Sequence, residues 1–378
     1  MHLKYPNVND AFHELVYGIH NGHIPTVSSP SRVGDVLQIQ EPVIVTYEKP
    51  LERVLFNPAR DVNPFLNLYE TLWMLAGRND IAPLEYYSKN YGQFVDDGDG
   101  MQNAAYGYRW RHALHKEMGD PCSKCGESVP CHCDAPYCVD QLKVIIDHLR
   151  KIPTSRRVVL QMWNVEDDLL KIETTKDVAC NLCALFSLRQ ASRKEIEEEA
   201  HNGYYLDMTV YNRSNDLTLG LLGANVVHFS FLQEYMANCL GVQVGVYNQV
   251  SNNLHCYTSR WEPDKWLAEG VCDEYRNQQW NHVPLVKDQQ TFDSECRNFV
   301  AMNFCGGVIH DNRWEEPFLR TVAQPMMNAF HYHKHRKYWE ALNHGVANIA
   351  DGAWQLCAYR WIEKRRLAWE AKKETNDE

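Results

Sequence analysis

Residues Tyr211 to Gly220 read YNRSNDLTLG and continue as LLGANVVHFSFLQEYMANCLG from Leu221 to Gly241. From Tyr205 to Asp216, YLDMTVYNRSND, apolar and polar side chains alternate before the chain breaks into a turn, the period-two pattern of a half-buried strand. In that turn an arginine beside a serine, followed by an aspartate and a glycine, can present a guanidinium and a hydroxyl to a phosphate. HFSFLQEYMANCLG then reads as a core helix ending on Gly241, and VGVYNQVSNNLHCY, Val244 to Tyr257, as a further strand. Upstream, VVLQMW (Val158 to Trp163) and LCALFSL (Leu182 to Leu188) are apolar runs of strand length. Strands dominate the middle of the chain with helices around them, which predicts an α/β fold.

Further out, NPFLNLYETLWMLAG (Asn63 to Gly77) spaces its apolar residues as a buried helix with a glycine at its end. Glu70 sits inside that run, so its carboxylate must lie at a solvent edge, be paired, or point into a site. The 378 residues are 44% apolar and 23% charged, an ordinary globular composition. No stretch reaches the ~18 uninterrupted apolar residues of a membrane helix. The start, MHLKYPNVND, carries no export signal, so a cytoplasmic protein is expected. A net charge of −11 argues against broad nucleic-acid binding. Thirteen cysteines in such a chain are expected to be reduced thiols, metal ligands or a nucleophile.

With AYGYRWR (Ala105 to Arg111), TSRRVVLQMWN (Thr154 to Asn164) and KDVACNLCALFSLR (Lys176 to Arg189) in this order, the chain resembles the thymidylate synthase superfamily, which includes pyrimidine-nucleotide hydroxymethylases. The resemblance runs from Arg32 to Tyr257. It implies a large mixed sheet flanked by helices, with the sheet forming a homodimer interface. It also implies transfer of one carbon from 5,10-methylenetetrahydrofolate to carbon-5 of a pyrimidine nucleoside monophosphate, deoxyuridylate or deoxycytidylate. A thiolate first adds to carbon-6 and makes carbon-5 nucleophilic. Cys180 matches that nucleophile, with Arg213 beside it favouring the ionised thiol. Glu70 matches the general acid/base carboxylate and Tyr106 the tyrosine that removes the carbon-5 proton. Arg32, Arg213 and Ser214 match phosphate ligands, and Arg156 and Arg157 match a pair that reaches into the partner subunit's site. Asp216 belongs to the same substrate-binding motif, and His255 and Tyr257 match the pair on the ribose hydroxyl. Asn225 matches the residue reading the pyrimidine edge, after one extra residue in GLLGAN; its amide tilts the reading toward uracil.

Several features depart from the synthase pattern. Asn181 stands where a histidine follows the nucleophile, and Tyr91 in SKNYGQF stands near the tryptophan that shields the exocyclic methylene. The apolar C-terminus is replaced by a Trp-rich tail. A wetter pocket favours water over hydride as the quencher, so hydroxymethylation is expected ahead of methylation. The alternatives are a thymidylate synthase, or a non-catalytic relative that binds nucleotide or RNA.

Two insertions interrupt the expected catalytic domain, residues 1–330: a Cys-rich stretch at 121–138 and a charged one at 191–203. Residues 331–378 are expected to form a helical C-terminal extension. Cys122, Cys125, Cys131 and Cys133 supply enough soft ligands for a structural zinc, against the alternative of a thiol-rich surface loop.

Overall fold

The computed structural model describes residues 1–377 apart from 97–99, 114–138, 193–202, 305–306 and 311. A six-stranded sheet runs in the order β1 (His2–Tyr5), β4 (Val43–Tyr47), β9 (Gln243–Ser251), β7 (Tyr204–Asn212), β6 (Asn181–Gln190) and β5 (Val159–Gln161). It is mixed: β1 with β4 and β7 with β9 are parallel, and the other pairs are antiparallel. A second sheet of four short strands runs β2 (Val27–Ser29), β3 (Val36–Gln38), β10 (Leu254–Tyr257) and β8 (Asn215–Asp216). This is the expected α/β architecture, a large mixed sheet with helices around it.

One face of the large sheet is buried under the helix Asn225–Leu240, whose side chains are buried on almost every side from Val226 to Ala237. Such a helix belongs in the middle of a core. It ends as its sequence predicts: Gly241 takes the left-handed conformation (φ 69°), and its N–H bonds Ala237 and Asn238 carbonyls. The helix Pro64–Leu75 lies against it. Asn63 caps its N-terminus by accepting from Phe65 and Leu66 N–H, and Pro64 occupies the first turn, where no amide hydrogen is needed.

The two sheets meet at a seam. Strand β7 leaves the large sheet at Arg213 and Ser214 and re-enters the small one as β8, while β9 does the same at Asn252 and Asn253 to become β10. Backbone bonds close the crossing, from Asn252 N–H to the Asn212 carbonyl and from Asn215 N–H to the Asn253 carbonyl, both 2.9 Å. The GLLGAN stretch lies in a π-helical segment, Leu217–Ala224, ahead of the core helix, with Gly223 off helical geometry.

Beyond residue 331 the chain is mostly helical. Its last helix, Gly352–Asp377, packs on Pro64–Leu75; Trp354, Trp361 and Ile362 are in the common core, and Trp361 meets Phe65 edge to face at 5.3 Å. Arg365 pairs with Asp61 at 3.2 Å.

Candidate active site

Cys180 lies just ahead of β6, where the strand opens with a bulge between Asn181 and Cys183. Met162 and Trp163 N–H both bond the Leu182 carbonyl at 2.9 Å, so two residues oppose one and the strand mouth is re-aimed. The loop before Cys180 is held from several directions. Arg109 and buried Asp168 form an ion pair, and Asp168 accepts from Ala179 N–H (2.9 Å) and Asn164 N–H (2.8 Å). Neither residue stood out in the sequence; Arg109 sits in AYGYRWR among other cationic residues, and its partner is remote in the chain.

Arg213 grips the same loop. Its Nε donates to the Ala179 carbonyl (2.8 Å), its Nη2 donates to the Val178 carbonyl (2.9 Å), and Nη2 lies 3.8 Å from Cys180 Sγ. Burial nevertheless raises the thiol's pKa, and Asp177 and Asp168 add to the rise while Arg213 and Arg32 pull it back. The expected effect of Arg213 is thus present in sign, but burial outweighs it and the resting thiol is protonated.

Tyr106 opens a short helix, Tyr106–Arg111, and its hydroxyl accepts from Cys180 N–H (3.2 Å) and Asn181 N–H (3.4 Å). Burial pushes this phenol's pKa well up. The approach depends on Gly107, where an added Cβ would stand 2.1 Å from the Met74 carbonyl oxygen. Tyr106 reaches Cys180 because a glycine lets its helix touch the end of Pro64–Leu75.

Glu70 points inward from that helix. Its Oε1 accepts from Tyr91 Oη (2.8 Å), and its Oε2 lies 3.4 Å from Nε2 of His228 on the core helix. Burial would raise the carboxyl's pKa, but His228 and Tyr91 outweigh it and hold Glu70 below the ordinary value, so it is ionised at neutral pH. His228 was missed in the sequence. The signal was an ionisable ring in the otherwise apolar ANVVHFSF, the counterpart of a carboxylate in an apolar helix.

Asn225 donates from Nδ2 to Asn215 Oδ1 at 3.1 Å. Asn215 Nδ2 donates in turn to Gln249 Oε1 (3.2 Å) and Ser251 Oγ (3.0 Å), and Gln249 Nε2 donates to the Leu221 carbonyl (3.2 Å). A backbone carbonyl only accepts, so it fixes the orientation of each amide down the chain. Among the described residues Asn225 is left with Oδ1 and one N–H free. Gly220 makes room, since a Cβ there would lie 2.1 Å from Asn215 Oδ1.

On the small sheet, Asp216 Oδ1 caps the π-helical segment by accepting from Thr218 N–H (2.8 Å) and Leu219 N–H (2.5 Å), while its Oδ2 is buried without a partner among the described residues. His255 Nδ1 donates to Asn253 Oδ1 (2.9 Å), and its ring meets Tyr257 edge to face. Arg32, exposed between β2 and β3, donates to the Lys176 carbonyl (3.0 Å) on the Cys180 loop. Ser214 lies in the seam. Arg156 and Arg157 are exposed ahead of edge strand β5, whose antiparallel pairing with β6 sets its first residue, Val159, opposite Leu185 rather than the Cys180 end of that strand. Cys122, Cys125, Cys131 and Cys133 lie outside the described residues. Among the described residues no group of three or more His, Cys, Asp or Glu is placed to hold a metal ion.

The sequence profile described as thymidylate synthase matches residues 59–304. The chain belongs to the thymidylate synthase family. As a member it is a one-carbon transferase. It is similar to a deoxyuridylate hydroxymethyltransferase of Pseudomonas phage M6, 35% identical over 393 aligned positions covering 98% of this chain and 96% of that protein. A second protein of that name, from Bacillus phage SP01, is 33% identical over 74% of this chain and 68% of its own length. The thymidylate synthase of Ascaris suum is 24% identical over 63% of this chain and 68% of its own. No helix among the described residues is long and apolar enough to cross a membrane.

Proposed function

We propose that this thymidylate synthase family member converts deoxyuridylate to its 5-hydroxymethyl derivative, with methylenetetrahydrofolate as carbon donor. The observation that carries this reading is the similarity over 98% of the chain to the phage M6 deoxyuridylate hydroxymethyltransferase. The free acceptor and donor of Asn225 agree with it. Uracil offers N3–H and O4, a donor and an acceptor in the complementary order, whereas cytosine needs the amide reversed, which would set two amide oxygens against each other at Asn215.

In this reading Cys180, once deprotonated, adds to carbon-6. Asn225 and the Glu70–His228 pair support the charge that moves onto the carbon-4 oxygen, and Tyr106 assists loss of the carbon-5 proton. Arg32, Arg213 and Ser214 hold the phosphate with Arg156 and Arg157 of a second subunit, the sheet faces forming the dimer, while His255 and Tyr257 take the sugar hydroxyl. The orphaned Asp216 Oδ2 is a buried acceptor suited to a ring N–H, so the residues present fit a reduced pterin. That group supplies the one-carbon unit when bound. Residues 1–330 form the catalytic domain in this reading and 331–378 its extension, working in a host cytoplasm.

Incubation with methylenetetrahydrofolate and deoxyuridylate or deoxycytidylate tests the reading. Expected is a deoxyuridylate product heavier by a hydroxymethyl group without dihydrofolate absorbance. A methylated product with stoichiometric dihydrofolate overturns it.

A further inference from the structure

The segment 164–174, which leads into the loop before Cys180, inverts the usual order of burial. Val165, Leu169, Leu170 and Ile172 are exposed, and the one buried residue is Asp168, at 0% exposure. Within the chain this segment is therefore seated by a carboxylate and not by an apolar face, an arrangement that a charge tolerates only when paired.

Both oxygens of Asp168 are used. Oδ1 accepts from Ala179 N–H (2.9 Å) and Arg109 Nη2 (3.2 Å), and Oδ2 accepts from Asn164 N–H (2.8 Å) and Arg109 Nη1. Arg109 is buried too, and its guanidinium also grips main chain: Nη1 donates to the Met162 carbonyl (2.6 Å) and Nη2 to the Asn103 carbonyl (2.9 Å). Arg109 belongs to the short helix that Tyr106 opens, and the Tyr106 hydroxyl accepts from Cys180 N–H (3.2 Å) and Asn181 N–H (3.4 Å). The ion pair thus spans from the helix of Tyr106 to the residue that precedes Cys180, and the phenol closes the circuit on the nucleophile's own backbone.

A buried ion pair gains little over apolar packing of the same volume, because both charges lose their hydration. What a two-pronged guanidinium–carboxylate contact supplies is a fixed distance and angle. Nor does it activate the thiol by charge, since Asp168 opposes ionisation of Cys180. Geometry is what remains.

We propose that Arg109 and Asp168 are positioning residues for the nucleophile, clamping the Cys180 loop to the Tyr106 helix and so setting thiol against phenol. This rests on the reading of Cys180 as the nucleophile and Tyr106 as the group that assists loss of the carbon-5 proton.

The test follows the covalent nucleotide adduct by rapid quench and intact mass, with deoxyuridylate and methylenetetrahydrofolate. It compares wild type, Asp168→Asn, Tyr106→Phe and the double variant. Expected in Asp168→Asn is adduct formation slowed about 100-fold, the scale set by a small misplacement of reacting groups. Deoxyuridylate affinity by calorimetry should stay within about twofold of wild type, a loss of rate without loss of binding. Alkylation of Cys180 by iodoacetamide at pH ~7 should be no slower than in wild type, because removing the carboxylate favours the thiolate. In the Tyr106→Phe background the same substitution should cost less than about threefold, because the separation it controls no longer matters. A purely structural clasp predicts the same cost in both backgrounds, and that result overturns the proposal, as does binding lost in proportion to rate. Arg109→Lys keeps an N–H for Asp168 and carries the same cycle with a milder loss, about tenfold, should Asp168→Asn not fold. A wild-type protein that forms no adduct at Cys180 overturns the functional reading itself, whereas a wild-type adduct with unchanged variants overturns this proposal alone.

Discussion

Asn225 reaches Asn215 across 3.1 Å, and through it is tied to Gln249 and a main-chain carbonyl at Leu221. The orientation of this amide, the base reader of the proposed reading, is thus inherited from the backbone. Asn215→Ala removes the link and frees Asn225 to rotate. The preference for deoxyuridylate over deoxycytidylate in kcat/KM should fall about tenfold, the scale of one lost buried hydrogen bond. An unchanged ratio would mean the amide is oriented by other contacts.

The thiol at Cys180 is raised by burial, with Asp177 and Asp168 adding to the rise and Arg213 opposing it. Formation of the covalent adduct should accelerate with increasing pH through the neutral range, because the thiolate fraction grows. Cys180→Ser should lower kcat about 10⁴-fold or more while deoxyuridylate still binds, measured by calorimetry alongside product assays.

Gly107 has the Met74 carbonyl where a Cβ would go. Gly107→Ala should destabilise the fold by about 2 kcal/mol as the helix is pushed off its neighbour. Urea unfolding measures that shift, and adduct formation should weaken as Tyr106 withdraws.

His282 bridges Glu234 (2.9 Å) and Asp351 (3.3 Å), joining the core helix to the start of the last helix. Burial lowers the ring's pKa, but these carboxylates outweigh it and raise it to about 9. A folded-state value above the unfolded one stabilises fully below about pH 6.5 and is lost as pH rises through about 9. Thermal melts should show an alkaline decline over that window that is flattened in His282→Ala. The amplitude should be about 1 kcal/mol, since the ring is partly exposed and screened.

Arg156 and Arg157 are exposed ahead of β5. If they complete a second subunit's site, mixing inactive Cys180→Ser with inactive Arg156→Ala/Arg157→Ala should restore about a quarter of wild-type activity, because half the dimers carry one intact site. No recovery after subunit exchange would remove these residues from the site.

The fold was legible where local chemistry decides it. Alternation marked β7, Gly241 marked a helix end, and Glu70 announced itself as a charge in an apolar helix. The pairing of Glu70 with His228, of Arg109 with Asp168 and of Asn215 with Gln249 was not legible, because each joins segments far apart in sequence and no spacing rule connects them. Asp177 gives no sign in the sequence, and only the packing of Ala104 and Asn103 against it shows a buried carboxylate.

At the seam, β7 and β9 exchange one sheet for the other at the same level. Cys180 stands on the large-sheet side, and His255 and Tyr257 on the small. In the proposed reading, a nucleotide gripped by both acts as a staple between two layers already joined by the strand crossings and a common core. Its affinity should then surface as cooperativity: the small sheet, free to open by itself when empty, should exchange its amide hydrogens only on global unfolding once ligand bridges the two.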